Sequence, residues 1–276
     1  MSQRNFRELL EGKWKEGKFL CVGLDSDLDK IPEIVRQGGP RETLVAFNRA
    51  IVDATHDLAG SYKSNSAFYE AHGDQGFAAL RETISYIREV APDVPVILDA
   101  KRGDIGNTNA GYIDAAFGYF GADAITVHPY MGRESLQPFL DRADKGIIVL
   151  CRTSNPGAGE FQDLKVDGTE LYKIVAQHVV KEWNTNGNCC VMVGATYPEE
   201  LAQVRSIIGD MPILIAGIGA QNGDLEKTIK NGLDSRKKGL ILSASRSVIF
   251  TSSGADYAAA ARTAAEKLDS EIRKAL

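Results

Sequence analysis

Long apolar runs are missing from this chain: no stretch approaches the ~18 consecutive apolar residues of a membrane span, so no membrane partner is expected. The N-terminal residues Met-Ser-Gln-Arg-Asn-Phe-Arg lack the apolar core and small-residue cleavage site of a secretion signal. Cysteine is scarce, with four in 276 residues, and Cys21, Cys151, Cys189 and Cys190 contain no C-x-x-C pair. All lie in apolar, strand-like runs, which predicts buried free thiols and a protein of the reducing cytoplasm. Histidine is equally sparse, again four. His56 and His178 fall on helical segments, His72 precedes one, and His128 ends a strand beside Pro129. These positions give neither a zinc spacing nor a Ser-His-Asp arrangement, so no metal is expected. Basic excess is absent too, with a net charge of −5 and a pI of about 5.5. That argues against a nucleic-acid surface while leaving room for a local pocket that takes one phosphorylated metabolite.

What is present is a regular alternation. Short apolar runs at Phe19–Leu24, Gly60–Ser64, Val94–Asp99, Ala122–Val127, Gly146–Cys151, Cys189–Gly194, Pro212–Ala216 and Gly239–Ser243 read as strands. Several are β-branched and almost unbroken in hydrophobicity, as parallel strands covered on both faces require. Between them the period turns helical over 41–58, 73–91, 107–120, 133–144, 167–184, 197–208, 221–231 and 255–274. Such alternation predicts parallel β/α architecture. The chain length, and polar residues at many strand ends, favour a single (β/α)8 TIM barrel over residues 1–276, with residues 1–18 forming an extra N-terminal helix across its bottom. The long loop Arg152–Asp167, carrying Asn155-Pro156-Gly157, is expected to act as a flexible lid.

The chemistry concentrates in Val96-Ile-Leu-Asp-Ala-Lys-Arg-Gly-Asp-Ile-Gly-Asn-Thr108. Alternate strand residues share a face, so Asp99 and Lys101 point together while Leu98 and Ala100 face the helices. Asp104 follows in the turn before the next helix. By themselves these residues fit either a salt-bridged strand end or a charged site, and nearby carboxylates favour the ammonium form of such a lysine. The run Asp25-Ser-Asp27-Leu-Asp29 imitates a calcium loop, but Lys30 stands where Gly is required and Arg36 where the bidentate Glu belongs.

Asp99, Lys101, Asp104, Ile105 and Thr108 fill every position of Asp-x-Lys-x-x-Asp-Ile-x-x-Thr, and on this pattern the chain closely resembles the orotidine 5′-phosphate decarboxylase family. The resemblance runs along the whole chain, and the length and the segment around Asn65 are similar to the longer bacterial class. It implies decarboxylation of orotidine 5′-phosphate to uridine 5′-phosphate in pyrimidine biosynthesis, without metal or cofactor, with Lys101 protonating C6 of the pyrimidine.

The same resemblance implies roles for other strand ends. Asp25 would bind a ribose hydroxyl, Lys63 would join the charge network and contact ribose, and Asn65 would help to hold the sugar. Ser154 would read the pyrimidine edge, with Thr153 its one-residue alternative. Gln221 and Arg246 would hold the phosphate beside the glycines of Gly217-Ile-Gly219, where close backbone approach suits an anion. Ser245 departs from the family, which more often has Gly before that arginine. Asp104, Ile105 and Thr108 would enter the neighbouring subunit's site, which makes a homodimer the expected unit. Two alternatives stay open on the sequence: a magnesium-dependent sugar-phosphate decarboxylase or aldolase of the same barrel superfamily, and a barrel that only binds a phosphorylated metabolite.

Overall fold

The computed structural model describes residues 4–219 and 225–276. Eight parallel strands close into a barrel: β1 Leu20–Gly23, β2 Ser61–Asn65, β3 Val96–Arg102, β4 Ala124–Val127, β5 Gly146–Arg152, β6 Cys189–Gly194, β7 Ile213–Ala216 and β8 Leu240–Ala244. Each pairs with its neighbours in chain order, and β8 closes on β1 through Leu20 opposite Leu242 and Val22 opposite Ala244. Their residues are buried almost throughout, because side chains pointing inward fill the barrel and those pointing outward meet helices. A strand followed by a helix is therefore the repeating unit, as the hydrophobic pattern predicts.

The N-terminal helix, Phe6–Lys15, closes the end of the barrel where the strands begin. Asn5 caps it by accepting from the Glu8 N–H at 3.1 Å. Phe6, Leu10 and Trp14 form its buried stripe at a spacing of four residues. Trp14 Nε1 donates to the Leu240 carbonyl at 2.8 Å, and Arg4 pairs with Asp123 at 2.7 Å, just before β4. Gly146 is required beneath Phe6, since a Cβ there would lie 2.3 Å from the ring.

Two segments differ from the sequence reading. The helix expected from 167 begins at Leu171, because Lys165–Val166 and Thr169–Glu170 form a small antiparallel hairpin. Asp167 and Gly168 supply its turn with φ of 50° and 80°, the left-handed pair that an Asp-Gly sequence favours. The expected loop 152–167 is likewise folded on itself, with a 3₁₀ turn at Pro156–Ala158 and a short helix at Gly159–Gln162. No helix among the described residues is long and apolar enough to cross a membrane.

Candidate active site

At the carboxyl ends of β1 to β4, the polar residues of the strands meet. Lys63, on β2, projects inward and is almost wholly buried; its Nζ lies 3.1 Å from Asp25 Oδ1 and 3.2 Å from Asp99 Oδ2. Lys101 Nζ lies 2.7 Å from the other oxygen of Asp99. Carboxylates and ammonium groups therefore alternate along one line, Asp25–Lys63–Asp99–Lys101. Only at the Lys101 end is a side chain substantially open, at 41% exposure against 4% for Asp99.

Buried charges are tolerated here because each is paired and hydrogen-bonded. Burial alone pushes the Asp99 carboxyl up, but the Lys63 and Lys101 ammonium groups and their hydrogen bonds outweigh it and hold Asp99 at about 2. Burial likewise works against the charged form of Lys63, yet Asp25 and Asp99 overcome it and raise Lys63 above its ordinary value. The site thus keeps a buried carboxylate and a buried ammonium ionised side by side, with a second ammonium facing the mouth.

Asp25 is placed by the backbone around it. Its Oδ1 accepts from the Asn65 N–H at 3.0 Å, and Leu24 N–H donates to the Lys63 carbonyl at 2.7 Å. Behind this loop runs a buried polar network that the sequence reading missed. Ser26 Oγ donates to Asn48 Oδ1 at 2.6 Å, Asn48 Nδ2 donates to Tyr69 Oη at 2.9 Å and Thr83 Oγ1 at 3.0 Å, and Tyr69 Oη donates to the Leu24 carbonyl at 2.8 Å. These residues lie on separate elements, and no local motif marks them. Asn65 turns its own side chain to the Ala67 N–H at 3.1 Å, which fixes the start of the next turn.

Simple alternation places Asp99 and Lys101 on one face, and they do meet, but not through a regular strand. The ladder to β4 pairs Leu98 with Ile125 and then Arg102 with Val127, so Asp99, Ala100 and Lys101 all stand opposite Thr126. Lys101 takes a left-handed backbone with φ of 49°, rare for a residue with a Cβ. Thr126, buried in β4, accepts from the Lys101 N–H at 2.9 Å and donates from Oγ1 to Asp99 Oδ1, also at 2.9 Å. Sequence reasoning missed Thr126; its only sign was a hydroxyl in an otherwise apolar strand.

Asp104 does not join this line within the chain. Its Oδ1 accepts from the Ile105 N–H at 2.6 Å, and Asn109 holds its backbone through Nδ2 to the Asp104 carbonyl at 2.7 Å. Ile105 and Thr108 are exposed beside it. His128 packs under the same loop, with Nε2 3.0 Å from the Gly103 carbonyl.

On the far side of the mouth, the hydroxyl of Thr153 is committed inside its loop, donating to Asn155 Oδ1 at 2.7 Å and accepting from Gln162 Nε2 at 2.8 Å. Ser154 is half-buried and packed so closely on Gly194 that a Cβ there would lie 2.5 Å from the Ser154 Cβ and 2.8 Å from its backbone nitrogen. Arg152, another residue the sequence reading left aside, anchors the segment by stacking 4.2 Å over the Tyr197 ring and donating to Asp163 Oδ2 at 3.1 Å. Arg246 is exposed at the start of the turn Arg246–Ile249, whose Ser247 lies against Gly219; Gly217 and Gly219 have φ of 91° and 80°. Ser245 lies against Gly23, where a Cβ would come within 2.6 Å, so this substitution is accommodated by a glycine on β1. Gln221 lies outside the described residues.

Comparison with known proteins agrees with this architecture. Residues 18–264 match the model of the orotidine 5′-phosphate decarboxylase / HUMPS family. The orotidine 5′-phosphate decarboxylase of Cellvibrio japonicus is 46% identical over 272 residues, covering 98% of this chain and 99% of the relative. That of an Azoarcus strain is 48% identical over 262 residues, covering 95% and 96%. The solved structure of Leishmania donovani OMP decarboxylase superposes with a TM-score of 0.85 at 38% identity, covering 98% of both chains. By fold and by sequence along nearly its whole length, the chain belongs to the orotidine 5′-phosphate decarboxylase / HUMPS family.

Proposed function

We propose that the protein is a carboxy-lyase that converts orotidine 5′-phosphate to uridine 5′-phosphate and carbon dioxide. The observation that carries this reading is the line Asp25–Lys63–Asp99–Lys101, with an exposed ammonium against a buried carboxylate at the barrel mouth. The substrate carboxylate lies against Asp99, and the repulsion between the two negative charges is relieved when the C6–carboxylate bond breaks and neutral carbon dioxide leaves. The electron pair stays on C6. Lys101 stabilises the developing carbanion and then transfers its proton to C6, and solvent reprotonates the amine. Because the cation and carboxylate are already in position, little reorganisation is needed as charge develops.

Asp25, Lys63 and Asn65 take the ribose, Ser154 the pyrimidine edge, and Gln221 and Arg246 the phosphate. Phosphate binding is remote from C6 and contributes by closing the 152–167 segment, on which Phe161, Leu164 and Val166 present exposed apolar side chains. Closure excludes water and strengthens the field of Lys101. Asp104, Ile105 and Thr108 act in the site of a second copy; Ile105, Tyr130 and Met131 form an exposed apolar surface near the ends of β3 and β4 that suits such a homodimer. A cytoplasmic location fits the free, buried cysteines.

The test is the fall in ultraviolet absorbance of orotidine 5′-phosphate on adding purified protein, with and without EDTA. A fall indifferent to EDTA supports decarboxylation without metal or cofactor. A fall abolished by EDTA, or none, moves the function to a magnesium-dependent sugar-phosphate barrel or a binding protein.

A further inference from the structure

Thr126 occupies a position that no motif marks. At the point where β3 and β4 lose register, one residue of β4 faces three of β3, and ordinary ladder hydrogen bonds cannot serve them all. The amide of Lys101 is left to a side chain, and the hydroxyl of Thr126 receives it at 2.9 Å. That hydroxyl has one proton to give, and it goes to Asp99 Oδ1, the same oxygen that Lys101 Nζ approaches at 2.7 Å. A single fully buried hydroxyl therefore links the backbone of Lys101 to the carboxylate that its own ammonium touches.

Its chemistry suits the task. A β-branched side chain has few rotamers, so a buried threonine presents its hydroxyl in a fixed direction. Left-handed backbone at a residue with a Cβ is strained and persists only where surrounding contacts over-determine it. The Thr126 contact is one such determinant, because without an acceptor the Lys101 N–H is an unpaired donor.

We infer that Thr126 is a positioning residue of the reaction, fixing Lys101 and Asp99 relative to each other before substrate arrives. It touches neither the carboxylate nor the pyrimidine of the substrate in this role; it acts through Asp99 and Lys101, which do. The inference rests on Lys101 being the proton donor, as proposed above.

Steady-state turnover of orotidine 5′-phosphate by wild type, Thr126→Val, Thr126→Ser and Thr126→Ala tests it, together with uridine 5′-phosphate affinity and melting temperature. Valine keeps the shape and removes the hydroxyl; serine keeps the hydroxyl and removes a methyl. For Thr126→Val, kcat should fall roughly 10- to 100-fold, the range for losing a hydrogen bond to a charged group, while KM and product affinity stay within about threefold. Thr126→Ser should recover most of kcat despite its smaller volume. If the valine variant does not fold, the alanine and serine pair carries the comparison, with serine the faster. A valine variant with wild-type kcat, a serine variant no better than valine or alanine, or a loss confined to KM would each overturn the inference while wild-type turnover left the decarboxylase reading standing. A wild-type protein without turnover would overturn both.

Discussion

Asp99 owes its charge to the fold around it, with Lys63 behind it and Lys101 in front. Its folded-state value of about 2 lies below the ordinary carboxylate range, so its contribution to stability is complete above about pH 4 and is lost as the pH falls towards 2. The size is roughly 2 kcal/mol. Urea midpoints at about pH 5 and about pH 3 should therefore diverge less for Asp99→Asn than for wild type, and equal divergence would contradict the paired, buried carboxylate. Lys101→Ala removes both the cation and the proton donor and should lower kcat by about 10⁴-fold or more with the fold intact by circular dichroism. Near-wild-type turnover by that variant would sink the assignment. Arg246→Ala should raise KM for the phosphorylated substrate roughly 10- to 100-fold and leave turnover of orotidine itself almost unchanged. A comparable loss on both substrates would remove Arg246 from the phosphate site.

Among the elements, the N-terminal helix and the 152–170 segment sit at opposite ends of the barrel and serve different ends. Trp14 is buried, stacks near Phe19 and donates to Leu240, so Trp14→Ala should cost about 3–5 kcal/mol of stability. Because the helix lies at the end away from the mouth, kcat per folded molecule should hold, as calorimetry and active-site titration would show together. For the opposite segment the sequence predicts one long loop followed by a helix. Its Asp167-Gly168 turn was visible in the sequence, but the helical period beginning at Leu171 runs close enough to hide it. Local turn chemistry won there over the neighbouring periodicity.

At the scale of the whole molecule, one chain brings Asp25, Lys63, Asp99 and Lys101 together, whereas the Asp104 carboxylate, on the loop that carries Ile105 and Thr108, is turned to its neighbouring Ile105 N–H. If that loop completes the site of a second copy, Lys101→Ala and Asp104→Ala are inactive for different reasons. Mixed in equal amounts and allowed to exchange, they should regain about a quarter of wild-type activity, since half of the dimers would be mixed and each of those would have one intact site. No recovery on mixing would place Asp104 in its own chain's site.

The sequence alone determined the strand and helix order and brought Asp99, Lys101 and Asp104 to notice, because those signals are local: alternating burial sets periods of two and 3.6, and the charged motif lies within a few residues. It could not determine that Lys101 adopts a left-handed backbone, that Thr126 supplies its amide with an acceptor, or that Asn48 and Tyr69 hold the loop of Asp25. Those contacts join residues 21 or more positions apart and involve side chains that leave no periodic trace. Only closure of the barrel, which forces strands of different length and register to meet at one end, decided them.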